Sequence, residues 1–244
     1  MIPRRIIAQS VFFKSSWRNA MDVIRERWDQ DYYITDFDYG DGGYFIVMSQ
    51  VRGWNGQCVK YGSEFPRDDV RELWKKGYAI TNMLHDGTDW IVVLTKVSYC
   101  KSQGYFSSMD WSEFRADVRK SWRSDMVATK LACDIQPHYT QYMAAVTEFE
   151  DCSPSQGMHC LSGSVTADEL GSLCSEDEFI ADMYDFDGCL CVITSNERKM
   201  RGVAIKMSYS LDEIFDAIEQ YVDNGFKITT VCYYRREWIV VFAA

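Results

Sequence analysis

Three histidines and nine cysteines occur in the 244 residues. Few nucleophilic or metal-binding arrangements can be drawn from so small a set. His85 stands beside Asp86 in a turn-like stretch and is the histidine with an adjacent carboxylate. A Cys–His nucleophilic pair would have to use it, His138 or His159. Cys152, His159 and Cys160 lie close in sequence, with Cys174 further on, but the paired spacing of a structural zinc site is missing. Cys189 and Cys191 alternate on a strand and read as small core residues. Phosphate-binding, dinucleotide-binding and nucleophile-elbow patterns are missing, so no cofactor and no catalytic residue is assigned.

The other candidate chemistry is binding. Asp36, Asp38 and Asp41 fall in or beside one hairpin turn, Asp86 and Asp89 in the next, and Asp182, Asp185 and Asp187 in a later one. The last turn carries Arg235 and Arg236 instead. If these turns share a side, they form an acidic, asymmetric rim that attracts Lys or Arg groups of a partner. Asp and Gly also dominate turns simply because they fit the backbone there. Asp38-Tyr-Gly40-Asp41-Gly-Gly lacks the distal bidentate Glu of a calcium loop. Trp54, in Arg52-Gly-Trp-Asn-Gly56, reads as an exposed aromatic in a loop. Trp17 and Trp111 are further exposed candidates, whereas Trp28, Trp74, Trp122, Trp90 and Trp238 recur at shared positions and read as core.

These residues hang on a repeated unit, clearest from Gln57 to Val97. Pro66 suits the first turn of a helix and Asp68 and Asp69 its positive end. Val70, Leu73 and Trp74 share one face. Gly77 is placed to end the helix in a left-handed conformation. Two β-rich runs follow, 78–83 and 90–97, joined by a turn. The plan recurs at a spacing of about 45–53 residues, a period typical of propellers and arrays. Glutamine opens four copies at Gln9, Gln57, Gln103 and Gln156, and Arg201 opens the fifth. A structural glutamine tying one copy's backbone to the next accounts for this repetition better than a ring of ligand-binding amides. Ile-Thr or a close variant recurs at Ile34, Ile80, Ala128, Ile180 and Ile228.

The resulting expectation is an α/β fold, a closed five-bladed α/β propeller in one domain, 1–244. Its units are 9–51, 57–97, 103–149, 156–196 and 201–244, each a three-stranded sheet plus one helix. The run of type Trp90-Ile-Val-Val-Leu, apolar on both faces, is expected innermost. The strand at 6–13 is expected to complete the sheet of the C-terminal hairpin and so close the ring. The third and fourth copies depart most, through Pro137 and Gly171.

A net charge of −10 argues against nucleic-acid binding and allows a protein partner with a basic surface, though solubility alone also accounts for it. The longest apolar runs reach only about five to seven residues, too short for a membrane helix. No signal-peptide pattern opens the chain, and the cysteines form no regular framework. The expectation is an intracellular monomer that binds no membrane.

The motif of a helix-end Trp with Gly-Tyr-x-Ile-Thr (Trp74, Gly77 to Thr81), then Trp90 to Val93, then Gln103, resembles a repeat region C-terminal to plant casein-kinase-1-like kinases and also present in some bacterial proteins. Copies one, two and five match best. That resemblance implies a non-catalytic accessory or interaction module. A five-unit α/β ring also looks like the pentein fold, which houses guanidine-modifying enzymes and a ribosome-subunit-binding factor. A Cys-dependent hydrolase or transferase on guanidino or amide groups is therefore an alternative, and a sensor using a central cavity another. The leading expectation is a protein-interaction or scaffold module.

Overall fold

The computed structural model describes residues 5–150, 155–186, 188–196 and 203–244. Among them, five repeats follow one plan of strand, helix, strand, strand. The first comprises β1 (Ile6–Lys14), α1 (Trp17–Trp28), β2 (Tyr33–Gly40) and β3 (Gly43–Val51). The second comprises β4 (Trp54–Gly62), α2 (Arg67–Trp74), β5 (Tyr78–His85) and β6 (Trp90–Val97). The third comprises β7 (Cys100–Ser108), α3 (Trp111–Trp122), β8 (Val127–Gln136) and β9 (Tyr139–Phe149). The fourth comprises β10 (Gln156–Ser162), α4 (Ala167–Ser172), β11 (Glu178–Phe186) and β12 (Cys189–Asn196). The fifth comprises β13 (Val203–Ser208), α5 (Leu211–Asp223), β14 (Lys227–Tyr234) and β15 (Glu237–Ala243). The divergent third and fourth repeats keep the full plan. No helix among the described residues is long and apolar enough to cross a membrane.

The helix ends follow local chemistry. Ser16, Asp110, Thr166 and Ser210 each accept a backbone N–H of the first turn. Thr166 and Glu169 form a reciprocal capping box. Gly77 ends the α2 turn at φ 79°.

Each repeat forms a three-stranded antiparallel sheet with its last strand in the middle, as in β1-β3-β2 and β4-β6-β5. Two expectations are corrected here. The Trp90-Ile-Val-Val-Leu strand is the middle strand of its sheet, not an innermost edge. It is apolar on both faces because both are covered, and Ile91 to Leu94 are fully buried. Strand 6–13 does not complete the C-terminal hairpin's sheet either. β1 pairs along its length with β3, and β13 supplies the third strand beside β15. Each apolar middle strand thus takes both neighbours from its own repeat, where loop closure costs least.

Every second strand carries one β-bulge. The register shifts at Ile34/Asp36, Ile80/Asn82, Ala128/Lys130, Ile180/Asp182 and Ile228/Thr230. The recurrent Ile-Thr is therefore a bulge signature. Thr35 bonds the Val47 carbonyl and the Ser49 hydroxyl, and Thr229 bonds the Val241 carbonyl.

The chain divides into two compact units, Met1–Arg52 with Gln156–Ala244, and Gly53–Ser155. In the first unit β11, β14 and β2 pack in that order. Ile214 and Ile218 of α5 are buried with Phe45, Val47, Trp238 and Phe242. Leu170 of α4 is buried with Leu190, Val192, Ile239 and Val241. In the second unit β5 packs on β8.

Candidate functional site

The repeated glutamine is structural. In the second unit the Gln103 amide oxygen accepts the Ile80 N–H at 2.5 Å and the Trp74 indole N–H at 3.0 Å. Its nitrogen donates to the Ile80 carbonyl at 2.8 Å and the Thr147 hydroxyl at 2.9 Å. In the first unit Gln9 does the same to Ile228, accepting its N–H at 2.7 Å and donating to its carbonyl at 3.1 Å. The amide thus imitates one rung of a β-ladder, next to the bulge where the strand's own pairing is interrupted. In the fifth repeat the register puts Val203, opposite Ala243, at this place. Both pack against Phe179 and Ala181, so an apolar contact replaces the polar clamp. Arg201, the residue expected there, lies outside the described residues.

The acidic rim of the first unit is partly corrected. Asp38 is 8% exposed and lies within β2, not on the rim. Its Oδ2 accepts the Tyr233 N–H at 2.7 Å, and Oδ2 of Asp36 accepts the Val231 N–H at 2.8 Å. Asp182 is likewise buried in β11. The bulge explains this: one extra residue changes which face the following side chains occupy. The two carboxylates of β2 satisfy edge donors of β14 that would otherwise be exposed or orphaned. Gly40 is forced by the same approach, since a Cβ there would lie 2.0 Å from Cγ of Tyr233.

Asp41 is exposed in the turn between β2 and β3, with φ 49°. Asp185 is half-buried, and its Oδ1 accepts the Gly188 N–H at 2.8 Å, holding its own turn. Asp187 lies outside the described residues. Arg235 and Arg236 are exposed, both at positive φ, 49° and 72°. The Arg235 Nε–H donates to the Tyr234 hydroxyl at 3.2 Å, and that hydroxyl donates to the Gly163 and Gly188 carbonyls. These contacts join the turns of the fourth and fifth repeats. Burial pushes the Tyr233 phenol up, and the Asp41 charge adds to this.

The second unit holds two turns at which a carboxylate fixes an exposed tyrosine. Asp86 closes its turn by accepting the Thr88 and Asp89 N–H groups, each at 2.9 Å. Asp89 accepts the hydroxyl of Tyr61 at 2.7 Å. Tyr61 is 53% exposed, and this bond to a carboxylate pushes its phenol up to about 12. At the neighbouring turn Asp134 accepts Gln136 Nε2 at 2.6 Å and the Tyr139 hydroxyl at 3.0 Å. Tyr139 is 42% exposed, and its phenol too is raised by its carboxylate partner. Ile135 is exposed beside it. His85 joins the two turns: its Nδ1 lies 3.5 Å from Asp134 Oδ1, and its ring meets Trp90 edge-on. Asp134, from the neighbouring turn, thus faces His85 across the strands. Sequence offered no signal for Asp134, Tyr139 or Tyr61, because their pairings cross strands.

Trp54 is corrected outright. It is 8% exposed and opens β4 opposite Val97, and its indole N–H donates to the buried Tyr99 hydroxyl. The ladder begins at Trp54 and shifts register before Gln57, which draws the ring inward. Trp17 is also buried, against Phe37 and Tyr44, and Trp111 is half-buried against Phe114 and Tyr142. Trp90 and Trp238 are core, whereas Trp28, Trp74 and Trp122 end their helices half-buried. Among the described residues no group of three or more His, Cys, Asp or Glu is placed to hold a metal ion. His159 instead meets the Thr194 hydroxyl at 3.3 Å.

A family model described as a domain of unknown function (DUF7477) matches residues 5–138. The chain belongs to this DUF7477 family. The matched span runs from β1 to the turn after β8, and so takes in Gln103 with its Trp74 and Ile80 partners and the His85–Asp134 pair. No curated protein matches the chain.

Proposed function

We propose that this chain is a non-catalytic protein-interaction module whose hairpin rim docks a basic segment of a partner protein. The observation that carries this reading is the pair of tyrosine–carboxylate turns on the second unit. Two exposed tyrosines are each held in place by a carboxylate, Tyr61 by Asp89 and Tyr139 by Asp134, and Ile135 is exposed at the second of these turns. Fixed tyrosines supply contact area at little entropic cost and recur at binding hot spots. Carboxylates beside aromatic faces suit Lys and Arg groups, through ion pairing and cation–π contact. The net charge of −10 favours such a partner over nucleic acid.

The proposal includes closure of the five repeats into a ring, a pentein-like propeller, acting inside the cell as a monomer in the manner implied by the kinase-associated repeats it resembles. It is supported by the recurrence, within each unit, of the same contact between second strands and the same glutamine clamp. Small-angle scattering tests it: a single compact body of this length has a radius of gyration of about 18 Å. A distinctly larger value refutes closure.

The interaction reading is tested by affinity capture from native lysate, with wild type beside a Tyr61→Ala/Asp89→Lys/Tyr139→Ala variant. The expected result is a set of partners with basic segments, lost from the folded variant and weakened by salt. Retention of every captured partner by a folded variant overturns it.

A further inference from the structure

The fourth repeat brings together three of the cysteines. In the antiparallel pair of β10 and β12, Cys160 stands directly opposite Cys191, and Ser162 directly opposite Cys189. Side chains alternate along a strand, so Cys160, Ser162, Cys189 and Cys191 share one face of the sheet. The Cys160 thiol is within hydrogen-bonding reach of both other thiols. The Ser162 hydroxyl lies 4.0 Å from the sulfur of Cys189. Cys160 and Cys189 are half-buried, and Cys191 is fully buried. None of the three is in a disulfide.

We propose that Cys160 is an oxidation site for hydrogen peroxide and that Cys191 resolves it as a cross-strand disulfide. The Cys160 thiolate attacks a peroxide oxygen, breaking the O–O bond, and becomes a sulfenic acid while the peroxide's other oxygen leaves as hydroxide and takes up a proton as water. The Cys191 thiol then attacks the Cys160 sulfur. The S–S bond forms, the S–OH bond breaks, and the Cys191 proton leaves with the hydroxyl as a second water. One peroxide is reduced and two thiols are oxidised.

Geometry selects the pair. Directly opposed residues of an antiparallel ladder have Cα atoms roughly 4.5–5.5 Å apart, inside the 4.4–6.8 Å window of a disulfide. The diagonal Cys160–Cys189 pair, at roughly 7–8 Å, is outside it. Cys189 therefore acts as a donor to Cys160 and not as the resolving thiol. Burial first, and then the neighbouring Cys160, push the Cys189 and Cys191 thiols up. Their S–H groups can donate to the Cys160 sulfur and so stabilise its thiolate.

The test is oxidation of the folded, fully reduced chain with hydrogen peroxide, followed by alkylation and non-reducing peptide mapping. The expected product is a peptide joined through Cys160 and Cys191. In Cys191→Ser, Cys160 is expected to accumulate as a sulfenic acid that dimedone traps. In Cys189→Ala the disulfide still forms, at least several-fold more slowly. Near-ultraviolet circular dichroism confirms that each variant is folded. A disulfide to any other cysteine, or Cys160 recovered as free thiol when other cysteines have reacted, overturns the proposal. So does dimedone labelling of Cys160 in wild type equal to that in Cys191→Ser.

Discussion

Replacing Gln103 by Ala removes four hydrogen bonds at once: to the Trp74 indole, both backbone groups of Ile80, and the Thr147 hydroxyl. Their consequences differ. Trp74 is half-buried and can turn its N–H to water. Thr147 keeps Thr129 as a partner at 3.0 Å. Ile80 is 1% exposed, so its N–H and carbonyl have little access to replacement water. A buried backbone group left without a partner costs roughly 1–3 kcal/mol. Gln103 is itself only half-buried, so some water follows the truncation. The expected loss is about 2–4 kcal/mol in the unfolding of the second unit. Urea denaturation followed by tryptophan fluorescence measures it, and hydrogen exchange at the Ile80 amide locates it. Gln103→Glu sharpens the test. A carboxylate keeps the acceptor for the Ile80 and Trp74 N–H groups but faces the Ile80 carbonyl with no donor. This variant should be weak near neutral pH and recover as pH falls and the carboxyl gains a proton to donate. A Gln103→Ala protein within about 0.5 kcal/mol of wild type, with unchanged Ile80 exchange, refutes the clamp.

Gly40→Ala should destabilise the first unit by about 3 kcal/mol or more, because the new methyl meets the Tyr233 ring and its Cβ at 2.0 and 2.5 Å. Adding Tyr233→Ala should return part of that loss, giving a double variant more stable than the sum of its singles in thermal melts. Asp36→Ala should cost about 1–3 kcal/mol by orphaning the Val231 N–H, and Asp36→Asn distinctly less because an acceptor remains; equal losses would show that charge, not the bond, matters. Tyr61→Phe tests the rim by pH. The Tyr61 phenol is raised in the folded state, so its bond to Asp89 stabilises fully below 10.0 and fades as pH rises towards about 12. The stability gap between wild type and Tyr61→Phe should therefore close over that window, and a gap independent of pH would contradict the bond.

The repeat plan was legible in the sequence because its signals are local. Helix caps, the left-handed Gly77 and the alternation of strands depend on neighbours a few residues away. The repeated glutamine and Ile-Thr were also visible, and the structural reading of the glutamine holds at Gln9 and Gln103. What the Ile-Thr meant was not visible, since a bulge is defined only against the partner strand. That bulge moved Asp36, Asp38 and Asp182 from an expected rim into the sheet interior. Strand order was equally hidden: an apolar run announces burial on both faces, but not which strands pair with its two edges. Trp54 looked exposed because its flanking glycines look like a loop, yet the ladder with Val97 begins there. His85 found Asp134, and Cys160 found Cys191, through pairings that chain proximity does not encode. Sequence determined which elements form, because backbone preference is local. Tertiary structure decided which side chains meet and which reach solvent, because register and depth are set by strands distant in the chain.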